Sequence, residues 1–535
     1  MEMTETGIFE FVKQGLMVSA EKPALWFYGR SITYRELFGC IDNVADHLYA
    51  MGVREGTVVT IHLPNCPQAV MAIYAVAKLG GVCNLVHPLL PAKAVQKNMV
   101  FSESEVLITS VRTNIQEYGF SKRMIQVDLS YFMGAFTKLL FRAKNSLENS
   151  KTAVAFESLL EAFGSNAVVP QQNKLSSQCA VYMHSTGTTG TPKTVMLDHR
   201  ALNRWIESTR AYYRGEALND QVCLGVLPLF HGLGFLMDMH RTLSNGGQLV
   251  MMARWDVNTA IEEIKRRRVT VLVGVPTMYF DLLKCPQFSG KGIRQLRECF
   301  VGGDCVPLQL IHDVDARVGG GRHMYVAYGL TEAATANCVT SREHDCLESC
   351  GYPLEGTEAA VLNEHGELNR VGQGELMISN GSLMMGYLKD PDASQAAFLS
   401  AEGRKWVHTG DYGRIDEDGY VYFIGRMKNI IVRKGINVFP GEIEEVINRL
   451  DFVSAVCVIG KENKETKTQM VCAVVVLKQG MDPQTAKKTI LRECLAALPK
   501  YSVPEEILFA DQLPRNLMGK VDRDALANEN EKRNT

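Results

Sequence analysis

The chain has 535 residues, more than a single hydrophobic core organises, so several domains are expected. Its composition, with 46% hydrophobic and 22% charged residues, is typical of a globular protein and excludes a disordered one. The formal net charge of −2 gives no electrostatic footprint for nucleic acid, so we expect no nucleic-acid partner.

The N-terminal sequence MEMTETGIFEF is acidic and lacks the basic segment and apolar run of a secretory signal. No apolar run approaches the length of a bilayer span. The 14 cysteines are scattered, which favours free thiols in a reducing compartment over a disulfide framework. Cys346 and Cys350 have the spacing of half a metal site, but no convincing second half follows. These features predict a cytoplasmic protein.

The first part of the chain alternates strand and helix patterns. PALWFY and TVVTIHL are rich in β-branched and aromatic residues, which predicts two short strands. Between them, TYRELFGCIDNVADHLYAMG predicts a helix that ends at Gly52, and AVMAIYAVAKLGGV predicts a second, buried helix. The apolar residues at helical spacing in the first helix are Leu37, Ile41, Val44, Ala45 and Leu48.

The alternation continues and then changes towards the C-terminus. CLGVLPLF, GQLVMM and VTVLVGVP predict strands, and NTAIEEIKRRR predicts a helix. Beyond the stretch 423–429, the helix patterns GEIEEVINRL and TAKKTILRECLAAL alternate with short strands such as ILFADQL. The second of these helices has Ile490, Leu491, Cys494, Leu495 and Leu498 on one side. We therefore predict an α/β fold with layered sheets and helices over residues 1–425, followed by a small α+β domain over 426–535.

The segment 130–147 is an amphipathic insertion. Its apolar residues, predicted to share a helical face, are Phe132, Phe136, Leu139, Leu140 and Ala143. Lys138, Arg142 and Lys144 add positive charge. Such a helix lies on a membrane surface or packs against the core, and both alternatives remain open.

The stretch HSTGTTGTPKT, residues 184–194, comes within one residue of a Walker phosphate loop, with Pro192 in place of its second glycine. A Walker loop joins a strand to a helix, whereas strand patterns lie on both sides here. Pro192 also lacks the backbone N–H of a phosphate cradle. Glycines, hydroxyls and Lys193 nevertheless suit a phosphate, the alternative being a polar surface hairpin.

Five ordered motifs extend this reading to nearly the whole chain. They are HSTGTTGTPKT at 184–194, YGLTEAA at 328–334, HTGDYGRIDEDGYVYFIGR at 408–426, IIVRKGINVFPGEIE at 430–444 and PRNLMGKVDR at 514–523. With these motifs in this order, the sequence resembles the adenylate-forming superfamily, which contains acyl-CoA synthetases, luciferases and the adenylation domains of peptide synthetases.

The resemblance implies two half-reactions that use ATP, Mg²⁺ and CoA. A carboxylate attacks the α-phosphate of ATP, which gives an acyl-adenylate and pyrophosphate. A thiol, usually that of CoA, then displaces AMP. The small C-terminal domain is implied to be mobile and to rotate between the two steps.

The resemblance also implies roles for residues of the larger domain. Glu332 ligates Mg²⁺, Thr331 contacts the α-phosphate and Tyr328 packs on adenine, with Gly329 beside it. Gly303 and Asp304 lie near the adenine and acyl sites. The implied ligands of the β- and γ-phosphates are Lys193 and the loop residues Ser185, Thr186, Gly187, Thr188, Thr189 and Gly190.

Further roles fall on the last part of the chain. Asp411 is implied to accept hydrogen bonds from the ribose hydroxyls, since a carboxylate offers two acceptor oxygens, and Arg426 assists at the ribose or a phosphate. Lys428 is implied to be the hinge. Lys520 contacts the substrate carboxylate and the α-phosphate during adenylation, and Gly435 lines the path of the CoA thiol.

Three positions depart from the family pattern. Thr194 stands where the family usually has glycine after Pro-Lys, which puts the loop geometry in question. Asp304 stands where many members have a small apolar residue. Val326–Ala327 lacks an amide side chain that some members place near adenine.

The prediction of the substrate rests on LPLFHGLGF, residues 227–235, which resembles the stretch that lines the acyl pocket in the family. Amino-acid-activating members usually carry an aspartate where His231 stands, so an amino acid is disfavoured. His231 gates the carboxylate site or simply packs. Gly232 and Gly234 are expected to leave room for an acyl chain.

We therefore predict a fatty acyl-CoA synthetase acting as a monomer or homodimer. The alternatives are an aryl or other carboxylic acid:CoA ligase, a ligase that loads a carrier protein, and a sensor that only binds nucleotide.

Overall fold

The computed structural model describes residues 5–14, 20–110, 123–144, 153–162, 176–185, 193–213, 217–433, 436–462, 469–515, 521–523 and 525–527. By internal contacts the chain divides into two units. The first comprises Met1–Glu358 and Ile378–His408, and the second comprises Ala359–Met377 and Thr409–Thr535. Among the described residues, no helix is long and apolar enough to cross a bilayer.

One large sheet of the first unit is mostly parallel. Its described strands, in spatial order, are β16 (Tyr352–Pro353), β15 (Ala336–Val339), β14 (Met324–Gly329), β13 (Glu298–Gly302), β12 (Val271–Gly274), β10 (Val222–Gly225), β11 (Gln248–Met251), β1 (Pro23–Phe27) and β2 (Arg30–Thr33). Every residue of β12 is buried, as expected for a parallel strand covered by helices on both faces.

The second sheet of this unit includes the hairpin that flanks the predicted phosphate loop. Its described strands, in spatial order, are β20 (Gly386–Tyr387), β9 (Lys193–Asp198), β8 (Cys179–Ser185), β4 (Val82–Leu85), β3 (Val58–His62), β5 (Val106–Ser110), β6 (Arg123–Val127) and β7 (Val154–Ala155). β8 and β9 pair antiparallel. The predicted strand on each side of the loop is therefore confirmed.

Helices cover the sheets of the first unit. They are α1 (Ile8–Gln14), α2 (Tyr34–Ala50), α3 (Pro67–Lys78), α4 (Ala92–Phe101), α5 (Ala135–Lys144), α6 (His199–Tyr212), α7 (Arg241–Ser244), α8 (Val257–Arg267), α9 (Pro276–Lys284), α10 (Leu308–Val318) and α11 (Pro391–Ala396). In α2, Thr33 caps the N-terminus by accepting from the Glu36 backbone N–H at 3.1 Å. The predicted apolar face of α2 is buried, and Gly52 follows it with a φ of +90°.

The second unit has its own sheets and helices. They are β17 (Glu358–Leu362), β18 (Leu368–Asn369), β19 (Gly372–Ser379), β22 (Arg404–Ile415), β23 (Val421–Arg426), β24 (Ile431–Arg433), β25 (Ile436–Val438), α12 (Pro440–Asn448), β26 (Val453–Glu462), β27 (Gln469–Leu477), α13 (Pro483–Ala497) and β28 (Glu506–Phe509). β19 and β22 each begin in one unit and end in the other, and β21 (Phe398–Ala401) pairs with the start of β22 within the first unit. An α/β fold with a small C-terminal α+β part is confirmed.

Two predicted apolar faces are wrong in part. Phe132 precedes α5 and is 1% exposed, because the chain turns where Gly134 packs on the backbone of Gly29. In α13 the buried stripe is narrower than predicted, with Ile490 and Cys494 buried and Leu495 60% exposed. Leu495 thus lies at the margin of the apolar stripe of α13 and stays in solvent.

Candidate active site

Three of the predicted site segments follow parallel strands of the large sheet. β12 pairs with both β10 and β13, and β13 pairs with β14 through Gly302 and Ala327. Because the carboxyl ends of parallel strands meet at one sheet edge, the segments that follow β10, β13 and β14 lie at that edge. They carry His231, the pair Gly303–Asp304, and the stretch Tyr328–Glu332.

Two glycines bring these segments into backbone contact. A Cβ added to Gly232 would lie 2.7 Å from the carbonyl oxygen of Ala334, two residues after Glu332. A Cβ on Gly234 would lie 2.2 Å from the carbonyl oxygen of Pro228. The expectation that these glycines leave room for an acyl chain is therefore wrong, because backbone already fills the space beside each. They instead place His231 next to the Glu332 segment.

Backbone hydrogen bonds and a following helix hold the segment that contains His231. His231 is half-buried, its N–H donates to Pro228 O at 3.0 Å, and its carbonyl accepts from Phe235 N at 2.8 Å. A π-helix, Leu233–His240, follows at once, a form that often marks functional sites. Within it the buried Asp238 accepts from the Leu227 N–H at 3.2 Å. Burial raises the Asp238 pKa well above its usual value, while the Leu227 N–H and the neighbouring Arg241 oppose that shift.

Glu332 lies in a short 3₁₀ turn, Thr331–Ala333, directly after β14. Its carbonyl accepts from Met384 N at 2.8 Å, and its Oε1 accepts from the Tyr387 hydroxyl at 2.9 Å. Tyr328 is half-buried in β14 opposite Cys338. A side chain at Gly329 would meet the carbonyl oxygen of Thr335 at 1.9 Å, so glycine is required there.

The hairpin β8–β9 brings Lys193 to the same tyrosine. Ser185 and Lys193 are the ladder partners that flank the connecting residues 186–192, and β20 pairs with β9 so that Tyr387 lies opposite Val195. The Lys193 ammonium lies 4.6 Å from the centroid of the Tyr387 ring. Tyr387 thus contacts the predicted phosphate ligand Lys193 with its ring and the predicted metal ligand Glu332 with its hydroxyl.

Tyr387 is the site residue that the sequence did not reveal. Its local signal is only a Gly-Tyr pair after a strand, in the stretch MMGYLKDP. The other predicted loop ligands, Thr186, Gly187, Thr188, Thr189 and Gly190, lie outside the described residues.

Gly303 and Asp304 form an exposed turn after β13. Gly303 has a φ of +79°, a conformation that favours glycine. Asp304 Oδ1 accepts from the Cys305 N–H at 2.9 Å, so the side chain closes its own turn. A contact of Asp304 with nucleotide stays a prediction.

The second unit carries a preformed ion pair. Asp411 and Arg426 are ladder partners of β22 and β23, and Arg426 Nε lies 2.9 Å from Asp411 Oδ1. The Asp411 side chain is 1% exposed, and Arg426 also donates to Thr409 O at 3.2 Å. The two residues that the resemblance assigns to the ribose therefore lie side by side in the structure.

Three further predicted residues belong to the C-terminal part of the chain. Lys428 is exposed in the short 3₁₀ turn Met427–Asn429, between β23 and β24. Gly435 and Lys520 lie outside the described residues. The hinge, thiol-path and catalytic roles of these three residues stay predictions.

Comparison with protein families decides the class of protein. Residues 13–388 match the family described as AMP-binding enzyme. The chain belongs to the AMP-binding enzyme family. Residues 442–520 match the AMP-binding enzyme C-terminal domain. The resemblance to the adenylate-forming superfamily is therefore confirmed.

Individual relatives of this AMP-binding enzyme are distant in sequence but cover nearly all of the chain. A long-chain-fatty-acid–CoA ligase of Bacillus subtilis is 26% identical over 525 residues, covering 95% of this chain and 92% of that protein. An indoleacetate–CoA ligase of Aromatoleum aromaticum is 26% identical over 519 residues, covering 96% of both. The crystal structure of O-succinylbenzoate coenzyme A synthetase from Bacillus subtilis with ATP and magnesium ion has a TM-score of 0.80 at 25% identity, covering 96% of this chain and 98% of that one.

The donor set of the AMP-binding enzyme suits a magnesium nucleotide. Among the described residues, no group of three or more His, Cys, Asp and Glu side chains is placed to hold a metal ion, and Cys346 and Cys350 belong to no such group. Mg²⁺ commonly takes one or two carboxylates and completes its shell with phosphates and water. Glu332, beside the cationic Lys193, fits that pattern.

The hydroxyl of Tyr387 is expected to orient Glu332 for Mg²⁺. Tyr387→Phe removes this hydroxyl and keeps the ring beneath Lys193. The variant should need roughly threefold to tenfold more Mg²⁺ to reach half-maximal ATP binding, because an oriented hydrogen bond to a charged group is lost. Isothermal titration calorimetry with ATP at increasing Mg²⁺ concentration measures this.

A matched control is Tyr212→Phe, which removes a hydroxyl that donates to Thr340 O at 3.2 Å. Its Mg²⁺ dependence should equal that of the wild type. An unchanged Mg²⁺ dependence in Tyr387→Phe would rule out the orienting role.

Proposed function

We propose that this enzyme is an ATP-dependent acid–thiol ligase whose acid is a fatty acid and whose thiol is CoA. In the first half-reaction, a carboxylate oxygen bonds to the α-phosphorus of ATP while the bond to pyrophosphate breaks. In the second, the thiolate sulfur of CoA bonds to the acyl carbon, and the C–O bond to AMP breaks. AMP leaves with the electron pair.

The convergence of Lys193 and Glu332 on Tyr387, beside the His231 segment, carries this proposal. Pyrophosphate gains negative charge as it leaves, so a fixed ammonium near it stabilises the transition state. Glu332 supplies a carboxylate for Mg²⁺, which offsets phosphate charge when bound. A sensor that only binds nucleotide would not need both groups beside an acyl-pocket segment.

The acid is inferred from His231 and from the relatives. His231 offers no counter-ion for an ammonium group, which argues against an amino acid. Two relatives are named for a long-chain fatty acid and for indoleacetate, so a fatty acid and an aryl acid are the two leading substrate classes. A carrier-protein thiol is the alternative acceptor to CoA.

We assign the remaining roles by motif. Asp411 and Arg426 hold the ribose, Tyr328 packs on adenine with Gly329 beside it, and Thr331 contacts the α-phosphate. The proposed functional division lies between residues 425 and 426, with Lys428 as the hinge. Lys520 binds the carboxylate and α-phosphate during adenylation, and Gly435 leaves space for the thiol.

A pyrophosphate-release assay tests the function. With ATP and Mg²⁺ present, saturated acids of increasing length, benzoate and amino acids are supplied with and without CoA. Acid-dependent pyrophosphate release that is greatest with a fatty acid, and a thioester formed only with CoA, is the expected result. ATP binding without acid-dependent release would instead identify a nucleotide sensor.

The two half-reactions are expected to respond to different residues. Lys520→Ala should abolish adenylation yet spare thioester formation from supplied acyl-adenylate. Gly435→Leu should do the reverse, because a leucine side chain blocks the thiol path. Loss of both half-reactions to the same extent in both variants would contradict a two-conformation mechanism. Pyrophosphate release and thioester formation are measured separately.

We further propose a peripheral membrane contact through α5. Phe136, Leu139 and Leu140 are 74%, 68% and 47% exposed, an unusual concentration of apolar surface on one short helix. The sequence of α5 has three basic residues and no acidic one, which suits anionic headgroups. Arg142 is fixed by an ion pair with Asp128 at 2.5 Å, which holds the helix in place. This location would bring the enzyme to membrane-dissolved fatty acids.

Replacing Phe136, Leu139 and Leu140 together by serine should greatly reduce co-sedimentation with vesicles containing anionic phospholipid. The thermal midpoint should change little, because these side chains are already in solvent. Leu495→Ser, at an exposed leucine of α13, is the control and should sediment like the wild type. Equal sedimentation of the triple variant and the wild type would contradict the contact.

We also propose a cytoplasmic location. Cys66, Cys83 and Cys223 are buried, and burial raises the pKa of the Cys66 thiol to about 12. Such thiols are inert components of the core and suit a reducing compartment.

A further inference from the structure

Thr194 departs from the glycine that the resembled family usually has, and its side chain has a defined partner. Its hydroxyl lies 3.0 Å from His184 Nδ1, and the two residues are ladder partners of β8 and β9. The Thr194 side chain is 5% exposed. A side-chain hydrogen bond therefore joins the two strands close to the loop, at a position where a glycine could form none.

His184 is itself held from the opposite side. Its Nε2 lies 2.9 Å from Asn84 Oδ1, and Asn84 is fully buried in β4. The Asn84 amide donates to Thr60 Oγ1 at 2.8 Å and to Asn98 Oδ1 at 2.7 Å. This chain of hydrogen bonds connects the hairpin to β3, β4 and α4.

Either neutral tautomer of His184 can bond Thr194. If Nε2–H donates to Asn84 Oδ1, the unprotonated Nδ1 accepts from the Thr194 hydroxyl; if Nε2 accepts from the Asn98 amide at 3.2 Å, Nδ1–H donates to Thr194 Oγ1. Burial lowers the pKa of His184 to about 4, which keeps the imidazole neutral at physiological pH. The ring can then bridge Asn84 and Thr194 without adding a buried charge.

Lys193 belongs to the neighbouring residue pair of the hairpin. Ser185 and Lys193 pair directly next to His184 and Thr194, so the direction in which Lys193 leaves the strand depends on how the His184–Thr194 pair is held. The Thr194 carbonyl also accepts from Leu388 N at 2.9 Å, next to Tyr387. Thr194 is thus fixed through its hydroxyl and its carbonyl, one residue from the ammonium that lies over the Tyr387 ring.

We propose that His184 and Thr194 form a positioning pair that orients Lys193 towards the phosphates of ATP. The inference rests on the proposed function, in which Lys193 binds phosphate. Neither residue touches a reacting atom, so the pair acts through Lys193. The threonine replaces conformational freedom at this position with a hydrogen-bonded anchor, which reduces the entropy lost when Lys193 is ordered on ATP.

Substitutions at position 194 separate the hydroxyl from the shape of the side chain. Thr194→Val keeps the β-branched shape and removes the hydroxyl, Thr194→Ser keeps the hydroxyl, and Thr194→Gly installs the residue usual in the family. The Kd for ATP is measured by calorimetry in the presence of Mg²⁺ and without acid. The thermal midpoint and thioester formation from supplied acyl-adenylate are measured alongside.

Thr194→Val and Thr194→Gly should raise the Kd for ATP by roughly threefold to tenfold, the effect of one lost buried hydrogen bond. Thr194→Ser should stay within about twofold of the wild type, since the bond is kept. Thioester formation from acyl-adenylate should be unchanged, because it does not use Lys193 on pyrophosphate. In His184→Phe, adding Thr194→Val should raise the Kd little further, because the partner is already gone.

An unchanged Kd for ATP in Thr194→Val would contradict the positioning role of the pair. An equal loss in both half-reactions together with a lowered thermal midpoint would also contradict it. So would a double variant whose increase in Kd equals the product of the increases in His184→Phe and Thr194→Val. Wild-type enzyme that binds ATP but releases no pyrophosphate with any acid would refute the proposed function instead. The Kd values of the variants would still test whether His184 and Thr194 position Lys193 for ATP.

Discussion

The hydrogen bond from Tyr387 to Glu332 is the interaction on which the candidate site depends. It joins a turn at the edge of one sheet to a short strand that belongs to the other. The same tyrosine ring lies 4.6 Å from the Lys193 ammonium, so one side chain contacts both the predicted phosphate ligand and the predicted metal ligand. Tyr387 thereby connects the hairpin β8–β9 to the turn that carries Glu332.

Close backbone packing provides the second constraint. The Gly232 and Gly234 positions are filled by neighbouring carbonyl oxygens, which fixes the His231 segment against the turn that carries Glu332. Beneath it, the buried Asp238 accepts from the Leu227 N–H and so ties the π-helix to the segment that precedes His231.

The parts of the fold that sequence predicted are those determined by local pattern. The period of apolar residues identified α2 and α8, and β-branched runs identified β3 and β12, because burial on one or both faces leaves a direct trace in the sequence. The strands around Pro192 were also predicted, and they excluded a Walker loop. Asp411 and Arg426, the pair predicted to bind the ribose, came from motif resemblance, and the structure brings the two into contact.

The features that the sequence did not predict depend on contacts between residues far apart along the chain. Tyr387 lies 55 residues from Glu332, and nothing in its own neighbourhood marks it as a partner. The glycines of the His231 segment were interpreted as space for a ligand, because a sequence cannot say which atoms approach a missing side chain. Phe132 was predicted to share the apolar face of the α5 helix. Apolar periodicity cannot show that the chain turns at Gly134, because that turn depends on Gly29, about a hundred residues earlier in the chain.

The second unit has a hydrophobic core of its own, and this bears on how its motifs can act. The cluster that includes Ile431, Ile443, Val458, Val475 and Ile490 is contributed by residues between 431 and 507. α12 buries Ile443 and Ile447 in this cluster, and the Tyr412 ring stacks on Phe439 at 4.7 Å. The Tyr412–Phe439 stack joins a strand that precedes Lys428 to the segment that follows it, so a rotation about Lys428 would have to break that ring contact. The hinge role of Lys428, which is exposed in the turn Met427–Asn429, stays a prediction.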